Sequence, residues 1–218
     1  MKKGFVFDLD GVITDTADYH YAAWKDLAAS IGIEIDIKFN EKLKGVGRME
    51  SLEMILIHGH RENDFSKEEK ENLATKKNRA YRESLKNLTS KDILPGAENF
   101  LKKAKEKKML CSLASASKNA PYIINKLGVT GYFDAVVDAK TIKKSKPNPE
   151  IYEKGAHVLG LKPSECVGFE DAQAGIDSIK SSGMYAVGVV SGEPLTGADI
   201  TVTGLDELSV KQLLEEKD

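Results

Sequence analysis

The sequence predicts an α/β fold: a parallel sheet with helices on both faces, plus an inserted α-helical cap domain. Three observations predict it. A short β-prone run, Phe5-Val6-Phe7, ends at Asp8-Leu9-Asp10-Gly11 near the start of the chain. Between Asp15 and Leu88 the pattern is helical, with no convincing strand. From Met109 onward, apolar strand-like runs alternate with helical segments, as in βα units that build a parallel sheet. The expected division is a core of residues 1–14 and 93–218 and a cap of residues 15–92, joined through Thr14–Thr16 and Ser90–Pro95.

The elements follow in order. Tyr19, Ala22, Ala23, Leu27 and Ile31 recur at helical spacing and predict a helix over Ala17–Ile31 with these residues on one face. A second helical segment, about Asn40–Leu56, is interrupted by Gly45 and Gly47. A third runs from Ser66, an N-cap whose capping box Glu69 completes, to about Leu88. Ile93-Leu94-Pro95-Gly96 is a turn leading into another helix. Beyond it, strands are predicted at Met109–Ser115, Ala135–Asp138, Cys166–Asp171 and Tyr185–Val190. Helices are predicted from Ala120-Pro121 to Leu127, at Pro149–Leu159, Ala172–Ser182 and Ser209–Glu216. No repeat or low-complexity segment interrupts the series.

At 218 residues the chain suits one large domain or a core with a modest insertion. A hydrophobic share of 41% and a charged share of 30% are those of an ordinary globular protein. The net charge of −2 implies no general surface for nucleic acid. Lys102, Lys103, Lys105, Lys107 and Lys108 form a local basic run, read as a solvated helix end. Asp8 and Asp10 interrupt any apolar segment after the first lysines, so neither a signal peptide nor a membrane partner is expected. Cys111 and Cys166 lack metal or redox spacing and read as buried thiols of a cytoplasmic protein.

In a parallel sheet the ligand crevice lies at the carboxyl ends of the strands. Asp8 and Asp10 fall there, and Gly11 lets the chain turn sharply. Two carboxylates this close repel unless a cation sits between them or one holds a proton. That suits metal-assisted transfer with an aspartate nucleophile and a second aspartate as acid–base. Ser115, Lys146 and the pair Glu170-Asp171 are expected at further strand ends. The Ser115 hydroxyl is either a phosphate donor or a helix N-cap. Lys146 lies in Ser145-Lys-Pro-Asn-Pro149, where Lys146–Pro147 is the candidate for a cis peptide bond. Glu170 and Asp171 are either first-turn helix acids or hard oxygen ligands for Mg²⁺. Together the four positions supply every part that phosphoryl transfer needs.

FDLDGVITDT, LASASKN, SKPNPEIY and GFEDAQAGI resemble, in this order, the motifs of the haloacid dehalogenase superfamily over nearly the whole chain. The resemblance implies a Rossmann-like core. It makes Asp8 the nucleophile that forms an aspartyl-phosphate and Asp10 the acid–base, with its main-chain carbonyl on Mg²⁺. Glu170 and Asp171 complete the metal ligands, and Ser115 and Lys146 hold the transferring phosphoryl. DGVITDTADYHYAAWK and KGVGRMES narrow the resemblance to the phosphomutase branch. That branch implies an isomerase of carbohydrate metabolism acting on β-glucose 1-phosphate and 6-phosphate through β-glucose 1,6-bisphosphate. A Mg²⁺-dependent sugar-phosphate phosphatase is the alternative.

The same resemblance puts Arg48 on the non-reacting phosphate, with Lys44, Gly45, Val46, Gly47 and Ser51 in its loop. Ala116, Ser117, Lys118 and Asn119 line the core side of the cleft. Thr16, His20 and Lys77 face Asp10 and the substrate, and Trp24 is either a sugar contact or core packing. A monomer is expected. Gly47 and Met49 flank Arg48 where small polar and acidic residues are commoner, and His58-Gly59-His60 reads as a lengthened cap loop.

Overall fold

The computed structural model describes residues 2–192 and 194–215. The chain folds as two compact units, one of Met1–Asp15 with Leu88–Asp218 and one of Thr16–Asn87.

The first unit is built on a six-stranded parallel sheet. Its strands are β1 (Gly4–Phe7), β2 (Leu110–Leu113), β3 (Ala135–Val136), β4 (Cys166–Glu170), β5 (Tyr185–Val189) and β6 (Ile200–Val202), in the order β3-β2-β1-β4-β5-β6. The chain builds outward from β1 to β3, then returns to place β4 on the other side of β1. The strand order therefore reverses between β1 and β4, the position at which open α/β sheets bind ligands. Phe5 pairs with Cys111 on one side and Val167 on the other, so β1 is central.

Side chains alternate across the sheet. Phe7 stacks on Phe169 at 4.4 Å and, with Phe5, packs against Phe100 of α5 (Ala97–Glu106). Val6 points the other way, into a core with Tyr152 of α7 (Glu150–His157) and Ile176 and Ile179 of α8 (Gln173–Ser182). Helices thus cover both faces. The unit also holds α6 (Ala120–Leu127) and α9 (Val210–Glu215). The predicted end of the last helix, Glu216, lies outside the described residues.

The second unit contains α1 (Ala17–Ser30), α2 (Ile37–Glu41), α3 (Arg48–His58) and α4 (Lys67–Ser84), and no strand among its described residues. Trp24, Leu27, Ala28, Leu52, Ile55, Leu56 and Ala74 form its core. Ser66 and Glu69 close the expected capping box: the Glu69 N–H donates to Ser66 Oγ and the Ser66 N–H to Glu69 Oε2.

Several expectations need correction. The buried face of α1 runs through Ala23, Trp24, Leu27 and Ala28, while Ala22 is exposed, because the stripe follows Trp24. The segment Asn40–Leu56 is two helices separated by a turn, with Gly45 at φ +70° and Gly47 as the cap of α3. His58 ends α3, Gly59 caps it and His60 turns through φ +54°, so the stretch expected as a loop begins within the helix terminus. β3 keeps only two of its four expected residues, and β6 has no counterpart in the sequence pattern. The basic run does end a helix, with Lys102, Lys103, Lys107 and Lys108 exposed. Cys111 and Cys166 are buried free thiols. No helix among the described residues is long and apolar enough to cross a membrane.

Candidate active site

β1 delivers Asp8 to the carboxyl edge of the sheet, where it is 6% exposed. Asp8 Oδ2 accepts the backbone N–H groups of Leu9 at 2.6 Å and Asp10 at 3.1 Å, so the turn after the strand fixes the carboxylate. Asp8 Oδ1 accepts from Lys146 Nζ at 2.6 Å. Lys146 donates equally closely, 2.6 Å, to Glu170 Oε2 at the end of β4, and Glu170 is 1% exposed. Lys146 does not sit at a strand end as expected. It reaches the site from the loop before α7, with Lys146–Pro147 cis.

That loop is tied down at several points. Glu150 Oε2 accepts the N–H groups of Lys143 and Lys144, Asn148 Oδ1 accepts that of Glu150, and Ser178 Oγ donates to the Asn148 carbonyl.

Carboxylates outnumber lysines at this edge. Burial pushes Asp8 up to about 7 and Glu170 and Asp10 add to the rise, while Lys146 opposes it. Asp8, Glu170 and Asp171 each offer an oxygen within 4.8 Å of the others. Two glycines leave room for these groups. Gly11 has φ +72°, and a Cβ there would overlap Asp171 Oδ2; a Cβ on Gly175 would overlap Glu170 Oε2. Hard oxygens, an excess of negative charge and a cradle that side chains would fill fit a Mg²⁺ ion.

Ser115 follows β2 and is buried; its Oγ accepts the Ser117 N–H at 3.1 Å. Asn119 occupies the N-cap position of α6, so Ser115 is not that cap. Asn119 is buried, Ala116 and Ser117 are half-buried, and Lys118 is exposed.

The second unit collects a different set. His20 and Trp24 share a face of α1, and Lys77 and Tyr81 share a face of α4, each pair one turn apart. Lys77, 3% exposed, lies 2.7 Å from His20 Nδ1 and 4.5 Å and 4.8 Å from the Trp24 and Tyr81 ring centroids. Burial, then Lys77 and Arg48, hold His20 well below its usual range. His20 is therefore neutral near pH 7, and Nδ1, facing an ammonium donor, leaves the proton on Nε2.

Thr16 Oγ1 lies 2.8 Å from the Tyr81 hydroxyl. Arg48 opens α3 and donates to Asn78 Oδ1 at 2.8 Å, and burial lowers its pKa. Lys44, Gly45, Val46 and Gly47 form the half-buried turn before it, with Lys44 paired to Glu41 at 2.9 Å, and Ser51 is buried one turn later. Trp24 belongs to the core of its unit.

The sequence pattern alone assigns no role to Tyr152, Asn78, Tyr81 or Gly175, although Tyr152 closes the motif SKPNPEIY. Its hydroxyl donates to Glu170 Oε2 at 2.6 Å.

An acid-rich switch point with a shared lysine thus sits at the carboxyl edge of a doubly wound sheet ordered 3-2-1-4-5-6, which places the protein in the class of Rossmann-like α/β proteins. A model of the haloacid dehalogenase-like hydrolases matches residues 2–183, and the chain belongs to that family. It is 46% identical over 214 residues to a β-phosphoglucomutase of Bacillus subtilis (strain 168), covering 98% of this chain and 95% of the relative. The crystal structure of a β-phosphoglucomutase from Clostridium difficile superposes with a TM-score of 0.96 at 47% identity, covering 99% of this chain and 96% of that one. A fructose-1-phosphate phosphatase of Escherichia coli (strain K12) is 33% identical over 186 residues, 85% of this chain and 95% of its own length.

Proposed function

We propose that this chain has β-phosphoglucomutase activity, interconverting β-glucose 1-phosphate and β-glucose 6-phosphate through an aspartyl-phosphate on Asp8. The observation that carries the chemistry is the Asp8–Lys146–Glu170 cluster at the β1/β4 switch point. Similarity to the two phosphoglucomutases supports the choice of substrate.

The core unit performs the transfer. Asp8 Oδ attacks phosphorus, and the sugar oxygen leaves with a proton from Asp10. In the opposite direction Asp10 removes the proton of the attacking hydroxyl as the phosphoryl leaves Asp8. Passing through β-glucose 1,6-bisphosphate, the sugar exchanges one phosphate position for the other. Lys146 and Ser115 donate to the equatorial oxygens of the transferring group. Asp8, Glu170 and Asp171, with the Asp10 carbonyl, would hold Mg²⁺. When bound, the ion would neutralise charge on the phosphoryl and keep Asp8 ionised against its raised pKa.

The second unit is the cap. Arg48 takes the phosphate that is not reacting, because its planar fork binds phosphate oxygens in pairs and Asn78 orients it. Both cysteines are free thiols, in keeping with a cytoplasmic setting.

A sugar-phosphate phosphatase shares Asp8, Asp10 and the cation, and the 33%-identical phosphatase keeps that reading in play. Incubation with β-glucose 1-phosphate, Mg²⁺ and trace 1,6-bisphosphate separates the two. Glucose 6-phosphate without released phosphate is the expected result; stoichiometric phosphate with free glucose makes the chain a phosphatase.

A further inference from the structure

Glu170 spends one oxygen on two donors. Oε2 accepts from Lys146 Nζ and from the Tyr152 hydroxyl, each at 2.6 Å, while Oε1 accepts the Ala172 N–H at a longer 3.3 Å. A carboxylate oxygen has two in-plane lone pairs, so Oε2 is saturated and Oε1 keeps the free capacity. The Tyr152 hydroxyl also lies 3.1 Å from the Phe169 carbonyl, but its one proton goes to the closer, charged acceptor. Its ring is fully buried among Val6, Ile176 and Ile179, so the hydroxyl cannot swing away. The ring also lies 5.2 Å from Lys146 Nζ and helps to fix that donor.

We propose that Tyr152 is a positioning residue for the cation site: by occupying Oε2 of Glu170 it turns Oε1 toward the divalent ion. The inference rests on the reading of Glu170 as a metal ligand and deepens it. A buried hydroxyl that merely satisfied the fold would leave ion affinity alone. Partners of metal ligands typically change affinity or activity 10–100-fold when removed.

The test is a titration of Mn²⁺, followed by the magnetic resonance signal of the free ion, without sugar phosphate. Wild type, Tyr152→Phe, Glu170→Gln and the double variant are compared. Tyr152→Phe keeps the ring volume and leaves Lys146 on Oε2, so the metal-free chain should still fold cooperatively, with a melting temperature lowered only by the loss of one charge-assisted hydrogen bond. Its Mn²⁺ dissociation constant should rise about tenfold or more. Turnover should recover at saturating Mg²⁺, with KM for the sugar phosphate unchanged. In the Glu170→Gln background the same substitution should add less than about a twofold change, because Tyr152 acts through Glu170. Wild-type Mn²⁺ affinity in Tyr152→Phe, losses that multiply in the double variant, or a Tyr152→Phe chain that does not fold would each overturn the inference and leave the ligand reading intact. Wild-type affinity in Glu170→Gln would remove the ligand reading itself, and the inference with it.

Discussion

The polar clusters of the two units are opposite in sign. Around Asp8, carboxylates exceed ammonium groups, and burial together with neighbouring acids raises the Asp8 pKa despite a 2.6 Å contact with Lys146. Around His20, the charged groups are Lys77 and Arg48, and the imidazole is held neutral. A buried excess of one sign costs free energy unless a partner offsets it. On the reading proposed above, the first cluster takes the cation and the second the phosphate that is not reacting.

The largest expected effect removes the nucleophile from the acidic cluster. Asp8→Asn should lower turnover on the order of a million-fold, as loss of a covalent nucleophile does elsewhere. The amide is isosteric but cannot attack phosphorus, and Lys146 keeps Glu170 as its partner. Retention of near-normal glucose 6-phosphate formation would dismiss covalent catalysis at Asp8. Next in size is Asp10→Asn. It keeps the main-chain carbonyl, so Mn²⁺ affinity should persist, while turnover falls about a hundred- to ten-thousand-fold through the lost proton transfer. Acetyl phosphate, whose leaving group needs no proton, should still phosphorylate Asp8 comparatively well. Loss of ion binding instead would make the Asp10 side chain a ligand.

Arg48→Ala tests the cationic cluster. Charge-assisted hydrogen bonds contribute roughly 1.5–3 kcal/mol, so kcat/KM for β-glucose 1-phosphate should fall about 10- to 100-fold. Acetyl phosphate has no second phosphate to be gripped, so Asp8 phosphorylation from it should barely change. Equal losses on the two substrates would sever Arg48 from the distal phosphate.

What can be read from sequence follows the same contrast. In the first unit, apolar strand and polar terminus adjoin: Phe5–Phe7 then Asp8, Leu110–Leu113 and Ala114 then Ser115, Cys166–Phe169 then Glu170. Strand direction alone carries these groups to one edge. Lys146 departs from its expected place because its position depends on a loop held by Glu150 and Ser178, contacts that no local pattern reveals. Tyr152 is spaced like any core residue of α7, and its hydroxyl gains a role only when β4 is beside it. β6 is three residues long with an exposed Thr201, too short to show alternation. In the second unit, Lys77 beside Lys76 reads as a solvated charged face. Its near-complete burial is set by Trp24 and Tyr81, which helical periodicity treats only as packing.

The smallest effect concerns the neutral imidazole between those cations. His20 binds a proton in the unfolded chain near its ordinary 6.5, but burial, Lys77 and Arg48 suppress binding in the folded state. Below pH 6.5 the unfolded state therefore holds more protons, and stability falls as the pH falls. Above 6.5 neither state holds the proton and the contribution is flat. One proton amounts to at most about 1.4 kcal/mol per pH unit in that window. Because the unfolded imidazole is only half protonated at 6.5, His20 alone contributes a melting-temperature loss of at most roughly 2–4 °C between about pH 6.5 and 5.5 in a chain of this size. Asp8 has the opposite sign: with its pKa raised from 3.8 to about 7, its stabilisation is full below 3.8 and is lost progressively as the pH rises to about 7, so it opposes the His20 contribution between about pH 5.5 and 6.5. The two must be separated by mutation. His20→Gln keeps an acceptor for Lys77 and removes the titration, so between about pH 6.5 and 5.5 its stability should change with pH at a slope that differs from wild type by up to about one proton, the variant gaining relative to wild type as the pH falls, while Asp8 is untouched. If the stabilities of His20→Gln and wild type run parallel across that window, His20 is protonated in the folded state and the second cluster is more positive than its geometry implies.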